Sequence, residues 1–377
     1  MDLGTKALSL SMGTRLLRRE RRGTPTCITF LMGIWLTVMA TQAAAENVVK
    51  VHNWADYIDP DVLRDFERDT GIRVEYSQFA TAAELEADLA SGKRFDVIVP
   101  TDFQLERLIK EQQLLELDVA DLPNRAEVSD ELLAKLSSKS RADQYVTPYM
   151  WGTVGLVIHE RAASQALQGP VANSWSILFD PSSAGKLKAC GAVLHNEPEQ
   201  TLSLYLNYRG RNLRTQSARG IEQATREIGD LGMPLGPKNF TDLVTQLSEG
   251  RICAAITWNG IAAMANDKGE LRYSIPLEGG LMFIDSLAIP RNAPNREAAY
   301  RFIDYMLQPG IAARNARATH FIPSFDLDLE RNRRLLPDLA IPSQEERRRL
   351  FFLERQSDSQ KRAIDAAWSR LNADKPE

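Results

Sequence analysis

Val48-Val49-Lys50-Val51-His52, ended by Asn53-Trp54, and Phe95-Asp96-Val97-Ile98-Val99-Pro100 are two short strand-like runs, and what lies between them sets the fold class. Asp59-Pro60-Asp61 opens a helix with acidic residues at its start, Val62, Leu63 and Phe66 on one face, and Gly71 as its stop. Ile72 to Phe79 alternates as a strand. Thr81, with Glu84 three residues on, is a capping-box pattern for a helix running over Leu85 and Leu89 to Gly92. The run from Phe95 is mostly apolar, as in a sheet covered on both faces, and Leu105, Leu108 and Ile109 mark a helix after it. The order β-α-β-α-β-α implies right-handed crossovers in a mainly parallel α/β sheet.

Further on the pattern shifts. Pro148-Tyr149-Met150-Trp151-Gly152-Thr153-Val154-Gly155-Leu156-Val157-Ile158 is one extended run, too long for an average strand and able to carry the chain from one lobe to another. Helical and strand segments continue through 174–277. Leu281 to Pro290 reads as a strand interrupted by one acid, Asp285. A helix over Ala298–Leu307 is expected to end at Pro309-Gly310, and the tail beyond Arg347-Arg348-Arg349 to form surface helices packed by Leu350, Phe351 and Trp368.

The chain has 377 residues, 44% hydrophobic and 25% charged, which sets a prior of two or three ordered domains. A formal charge of −4 argues against a nucleic-acid binder. Three Cys exclude a disulfide-dense scaffold or a Cys-built metal cluster, and His52, His159, His195 and His320 are too widely spaced for a local metal motif. Neither a nucleophile elbow nor a phosphate-binding glycine loop is present. No catalytic residue, metal or cofactor is assigned on this basis.

Residues 1–45 differ from the rest. Arg15, Arg18, Arg19, Arg21 and Arg22 precede an uncharged apolar stretch from Cys27 to Ala40, followed by the small residues Ala43-Ala44-Ala45. This order is that of a cleaved secretory signal. The alternative, an uncleaved anchor, is opposed by a stretch shorter than the ~20 residues a bilayer requires. Removing the segment takes away six basic and two acidic residues and moves the formal charge to −8 over 332 residues. Two Cys survive, Cys190 and Cys253. In an oxidising compartment they admit one bridge; two separate buried thiols are the alternative.

Several aromatic and acidic residues stand just after strands, where parallel α/β sheets bind ligands. They are Trp54, Asp56 and Tyr57 after the first strand, Thr101 and Phe103 after the third, Trp258 after Ile252–Ile256, and Phe283 and Asp285 within the later one. An aromatic wall with a few carboxylates suits an alkylammonium ligand, because ring faces attract the cation and cover its methylenes while a carboxylate accepts its protons. Taken singly, a Trp after a strand is more often packing, and Asp56 serves equally well as a turn cap. Asp285 inside an apolar run has the weakest structural explanation, because a buried carboxylate without a partner is costly.

Four blocks in order, Val49–Ile58, Phe95–Pro100, Pro148–Thr153 and Glu278–Pro290, resemble the periplasmic polyamine-binding proteins, the solute receptors of putrescine and spermidine ABC importers. The resemblance implies a two-lobe periplasmic-binding-protein fold of type II with the ligand cleft between the lobes. It puts 46–150 plus 279–320 in one lobe, and 151–278 plus 321–377 in the other. It implies a Cys190–Cys253 disulfide, a small cationic amine as ligand, an inner-membrane ABC permease as partner, a periplasmic monomer and no bound nucleic acid. Trp54, Asp56, Tyr57, Thr101, Trp258, Phe283 and Asp285 match pocket positions of the family. The sequence departs where a pocket acid falls on Gln200, a second on Ile261 and a pocket Tyr on Ile322. Asp56 and Asp285 would hold a diamine end to end; alternatively the ligand has a single amine, with Gln200 and Ile261 lining its far end, or Glu197 or Glu199 turns inward. An amine sensor of the same fold and an enzyme on this fold are the competing classes.

Overall fold

Strand β1 (Val48–Trp54) lies between β2 (Arg73–Phe79) and β3 (Val97–Ile98), parallel to both, in a computed structural model that describes residues 47–237, 239–336 and 341–373. The basic cluster, the apolar stretch and Ala43–Ala45 fall outside the described residues. The helix Pro60–Thr70 between β1 and β2 is capped by the Asp59 carboxylate, which accepts from the Asp61 N–H at 2.9 Å. It ends at Gly71, whose φ of 69° is left-handed backbone that costs glycine nothing. Thr81 caps the helix Ala82–Ala90 by accepting from the Glu84 N–H at 3.2 Å. The expected third strand is cut to two residues because Asp96 serves β1 with its side chain: its carboxylate accepts from the Lys50 N–H at 2.8 Å.

The sheet is not mainly parallel beyond β3. The remaining strands are β4 (Val146–His159), β5 (Ala254–Trp258), β6 (Leu271–Ser274), β7 (Gly280–Ala288), β8 (Ile322–Pro323) and β9 (Leu350–Phe352). The path runs β2-β1-β3-β7-β4-β5, and β7 is antiparallel to both β3 and β4, as β5 is to β4. β6 and β8 also pair antiparallel with β4, while β9 pairs in parallel with β7. β4 and β7 are long enough to reach beyond the βαβ half, so the sheet grows by hairpin-like pairing rather than by helical crossovers. β4 has 14 residues, about 46 Å at the usual strand rise, and all but its last are buried.

Packing follows these long strands. One core gathers Val49, Val51, Val62, Phe66, Val97, Tyr149, Met150, Phe302 and Ile303. Adjoining it, a second holds Leu85, Ile98, Leu105, Trp151, Ile284, Ile322 and Phe325. A third gathers Val154, Leu156, Trp175, Leu178, Leu204, Ile221, Ile256, Leu281 and Trp368. β4 passes from the first two cores to the third between Trp151 and Val154, β7 between Met282 and Leu281. The tail makes the same passage at β9, where Leu350 and Phe352 pack on one core and Phe351 on the other. The tail therefore contributes a strand at this crossing, not only the helices Gln344–Arg348 and Asp358–Ala373. The helix Arg296–Leu307 ends just before Pro309-Gly310 as expected, and Pro309 then opens a second helix, Pro309–Thr319, since a proline at the first helical position loses no hydrogen bond.

Cys190 and Cys253 are joined in a disulfide with Cα atoms 5.6 Å apart. It ties the turn Lys188–Cys190 to the residue before β5. Among the described residues, no helix is long and apolar enough to cross a membrane.

Candidate functional site

The end of β1 is built to present a turn. His52 is buried, stacked on Phe95 at 4.3 Å, and held through Nδ1 to the Ser77 hydroxyl at 2.8 Å and through Nε2 to Asp88 at 3.2 Å. It acts as packing, which fixes the strand just before the turn. The Asn53 amide oxygen accepts from the Trp54 N–H at 2.8 Å, and its Nδ2 donates to the Tyr57 carbonyl at 3.3 Å. The Tyr149 hydroxyl donates to that same carbonyl at 3.0 Å. Inside this brace Asp56 takes φ 54°, a conformation that costs a non-glycine residue about 1 kcal/mol. The cap of the following helix is Asp59, so Asp56 is left free of that task.

Opposite the turn stands Asp285 on β7, 4% exposed and bridged through its backbone to Thr101. Burial pushes its carboxyl up to about 7, with the neighbouring Asp102 adding to the rise and the Tyr57 and Thr101 hydroxyls opposing it. The Tyr57 hydroxyl faces this carboxyl without closing a hydrogen bond of its own, and burial followed by the Asp285 charge holds it far above the usual tyrosine range. Asp102 is anchored separately: it accepts from the Ile284 N–H at 3.2 Å and from Lys139 Nζ at 2.6 Å. The structure thus joins Asp285, Tyr57 and Thr101. Asp56 is exposed.

A chain of edge-to-face rings continues from this carboxyl. Tyr57 meets Tyr149 at 5.9 Å and Phe321 at 5.1 Å, and Phe321 meets Phe283 at 5.9 Å. Trp54 packs on Phe79 at 4.6 Å, and its buried indole N–H finds no hydrogen-bond partner. Two glycines let the rings approach. A Cβ on Gly260 would meet the Phe321 ring at 2.7 Å, and one on Gly152 would meet Phe283 at 2.5 Å and Asn259 Oδ1 at 2.7 Å. That Asn259 oxygen accepts from the Thr153 N–H at 2.9 Å, so Gly152→Ala is expected to displace both a site ring and a strand-bracing amide. The expected cost is about 1–3 kcal/mol of stability, read from urea unfolding; an unchanged midpoint would show that the crossing tolerates a methyl group there.

On the far side, Trp258 closes β5 against His195 at 4.5 Å and Phe240 at 4.8 Å, both edge-on. Gln200 lies beside His195, early in the helix Pro198–Tyr208. Glu197, at the N-cap of that helix, is exposed at its surface. Desolvation by the surrounding protein and the neighbouring Glu199 hold its carboxyl up to about 7. Glu199 is also raised, by burial first, and it feels Glu86 of the helix Ala82–Ala90 on the opposite side. From the helix Asp102–Lys110 the half-buried Phe103 ring packs against the core that holds Trp175 and Leu204.

Ile261 and Ile322 are both buried. Ile261 packs with Val193, Leu243 and Ala255, and Ile322 is fully buried beside Trp151. The aromatic neighbour missed from sequence is Phe321. The helix before it ends at His320 with φ 59°, and this left-handed turn sets Phe321 against Tyr57, which helical or strand periodicity could not signal. Phe240 and His195 were missed likewise, because they approach Trp258 only in space. Among the described residues no group of three or more His, Cys, Asp or Glu is placed to hold a metal ion.

Two adjoining cores on one side and a third on the other, joined by long crossing strands with rings and a buried carboxyl nearby, define a two-lobe solute-binding clamp. The sequence matches the bacterial extracellular solute-binding protein family over residues 61–326, and the chain belongs to that family. It is 30% identical over 361 residues to the putrescine-binding periplasmic protein PotF of Escherichia coli, covering 89% of this chain and 94% of that one. It is also 30% identical, with the same coverages, to the putrescine-binding periplasmic protein SpuD of Pseudomonas aeruginosa. A solved structure described as a putative spermidine/putrescine ABC transporter from Listeria monocytogenes superposes with a TM-score of 0.71 at 24% identity, covering 86% of this chain and 99% of that one.

Proposed function

We propose that this protein is an extracytoplasmic receptor for a linear amine, a putrescine-like polyamine first among them, and that it hands its ligand to an inner-membrane ABC permease. The observation that carries this reading is the Asp285 carboxyl, buried beside the Tyr57 and Thr101 hydroxyls and followed by a file of aromatic rings. An ammonium entering there gains a charge-assisted hydrogen bond, and the rings cover its methylenes at ~0.8 kcal/mol per buried CH2. The names of the relatives support the same ligand class. Residues 1–45 would be the export signal and the periplasm the working compartment, with the protein acting as a monomer.

The proposed mechanism is capture without chemistry. The lobes open and close about the crossing strands, and ligand contacts from both sides favour closure. The packing supports lobes of 46–150 plus 279–320 and 151–278 plus the end of the chain. It also favours moving 321–336 to the first lobe, since Ile322, Phe325 and Leu336 pack with Ile98 and Leu105. Cys190 and Cys253, the two thiols beyond the expected signal, are consumed in their disulfide and offer no nucleophile. Calorimetric titration with putrescine, cadaverine, spermidine and agmatine is expected to give saturable heat with at least one of them. No heat with any of the four would discard the amine assignment.

A further inference from the structure

Asp102 and Asp285 are buried together, 2% and 4% exposed. Thr101, the residue before Asp102, is bridged through its backbone to Asp285. Asp102 Oδ1 accepts from the N–H of Ile284, the residue before Asp285, at 3.2 Å. The charge of Asp102 raises the Asp285 carboxyl, so the two acids feel each other. Their counter-charges differ. Asp102 Oδ2 accepts from the Lys139 ammonium at 2.6 Å, which reaches it from just beyond the helix Asp130–Ser137. The same ammonium stands 3.9 Å from the centre of the Phe352 ring on β9. A carboxylate and a ring face are what an alkylammonium needs, and at Asp102 the chain supplies that cation itself. Asp285 has the Tyr57 and Thr101 hydroxyls, and among the described residues no cationic side chain pairs with it.

The remaining charges near this pair are weak competitors. Tyr57 and Tyr149 also face Asp285, and burial first holds both hydroxyls far above the usual tyrosine range, so they stay neutral. Asp102 and Lys139 line a cavity of about 610 Å3 with Glu106, Arg214, Glu354, Arg355 and Asp358. All of these but Glu354 are exposed, where water screens them, and Glu354 pairs with Arg214 at 3.6 Å.

We propose that Asp102 and Lys139 are positioning residues of the amine site: Lys139 satisfies Asp102, so that of two carboxyls buried together Asp285 alone is left for the ammonium of the ligand. The proposal rests on the amine-receptor reading above and deepens it. Asp102→Asn keeps an acceptor for the Ile284 N–H and leaves the Lys139 charge uncompensated. That charge repels an incoming ammonium and favours the ionised form of Asp285.

The test is calorimetric titration from pH 5 to pH 8 with whichever of putrescine, cadaverine, spermidine and agmatine binds the unaltered protein most tightly. Asp102→Asn is expected to weaken binding at pH 8 at least about fivefold, and to lower the pH at which affinity stops rising. Adding Lys139→Met removes the stranded charge and is expected to recover most of that loss. An Asp102→Asn protein with unchanged affinity and pH profile overturns the proposal. So does a double variant as weak as the single one, since Asp102 would then act through the Ile284 N–H rather than through charge. The double variant buries no unpaired charge and decides alone if the single one does not fold: a loss of about tenfold or more overturns the proposal. In each of these cases the amine receptor stands. No heat with any of the four amines on the unaltered protein overturns both.

Discussion

Asp285→Asn is expected to weaken amine binding at least ~30-fold, about 2 kcal/mol, because the amide keeps the shape and removes the charge that compensates a desolvated ammonium. The substitution leaves the fold intact by the same reasoning: a group that burial already holds near neutrality loses little on becoming an uncharged amide. An unchanged dissociation constant would take Asp285 out of the site. The affinity is also expected to depend on pH in one direction. Burial pushes the carboxyl up to about 7, and an ammonium held there as proposed would bind its ionised form. Binding below 7 must therefore release a proton, and affinity rises up to about tenfold per pH unit before levelling above 7. The sign for the free protein is opposite. A carboxyl raised by burial adds its stability in full below the ordinary aspartate value of ~3.9 and loses it as pH rises through 7. Ligand-induced stabilisation is accordingly greatest above 7. Equal affinities at pH 5 and pH 8, or calorimetric heats that do not vary with buffer ionisation, would separate Asp285 from the ammonium.

Loss of the disulfide carries the largest expected effect on stability. Cys190 and Cys253 are 63 positions apart, and closing a loop of that size removes on the order of 4 kcal/mol of chain entropy from the unfolded state. The double replacement by Ala is expected to lower the free energy of unfolding by about 3–4 kcal/mol, since Cys253 is fully buried and Ala leaves little space unfilled. Urea unfolding of the variant beside the oxidised protein measures this directly. A change below about 1 kcal/mol would show that the bridge constrains little in the unfolded chain.

Most elements of the first lobe were legible because their signals are local. Asp59, Gly71 and Thr81 mark helix ends through hydrogen bonds and backbone angles within a few residues, and β1, β2 and the helices between them lie where those marks put them. Asp285 stood out because a charge inside an apolar run conflicts with burial, a conflict readable in any one strand. What local signals do not carry is which strands pair. The expected parallel sheet became mixed because β4 and β7 run antiparallel along their length, and the tail, read as helices, supplied a strand to the same crossing.

The site divides along the same line. Residue types alone determined that this chain has a carboxyl and several rings suited to a cation, and that Gln200 is neutral. Tertiary structure alone decided that Asp285 faces Tyr57 and Thr101 while Asp56 stays exposed, and that Phe103 packs against the other lobe. It also decided that Phe321, set by a left-handed turn, enters the ring file while Ile322 enters the core. The reason is physical: burial and electrostatic contact depend on distances between segments tens to hundreds of residues apart, and those distances exist only once the crossing strands have brought the two lobes together.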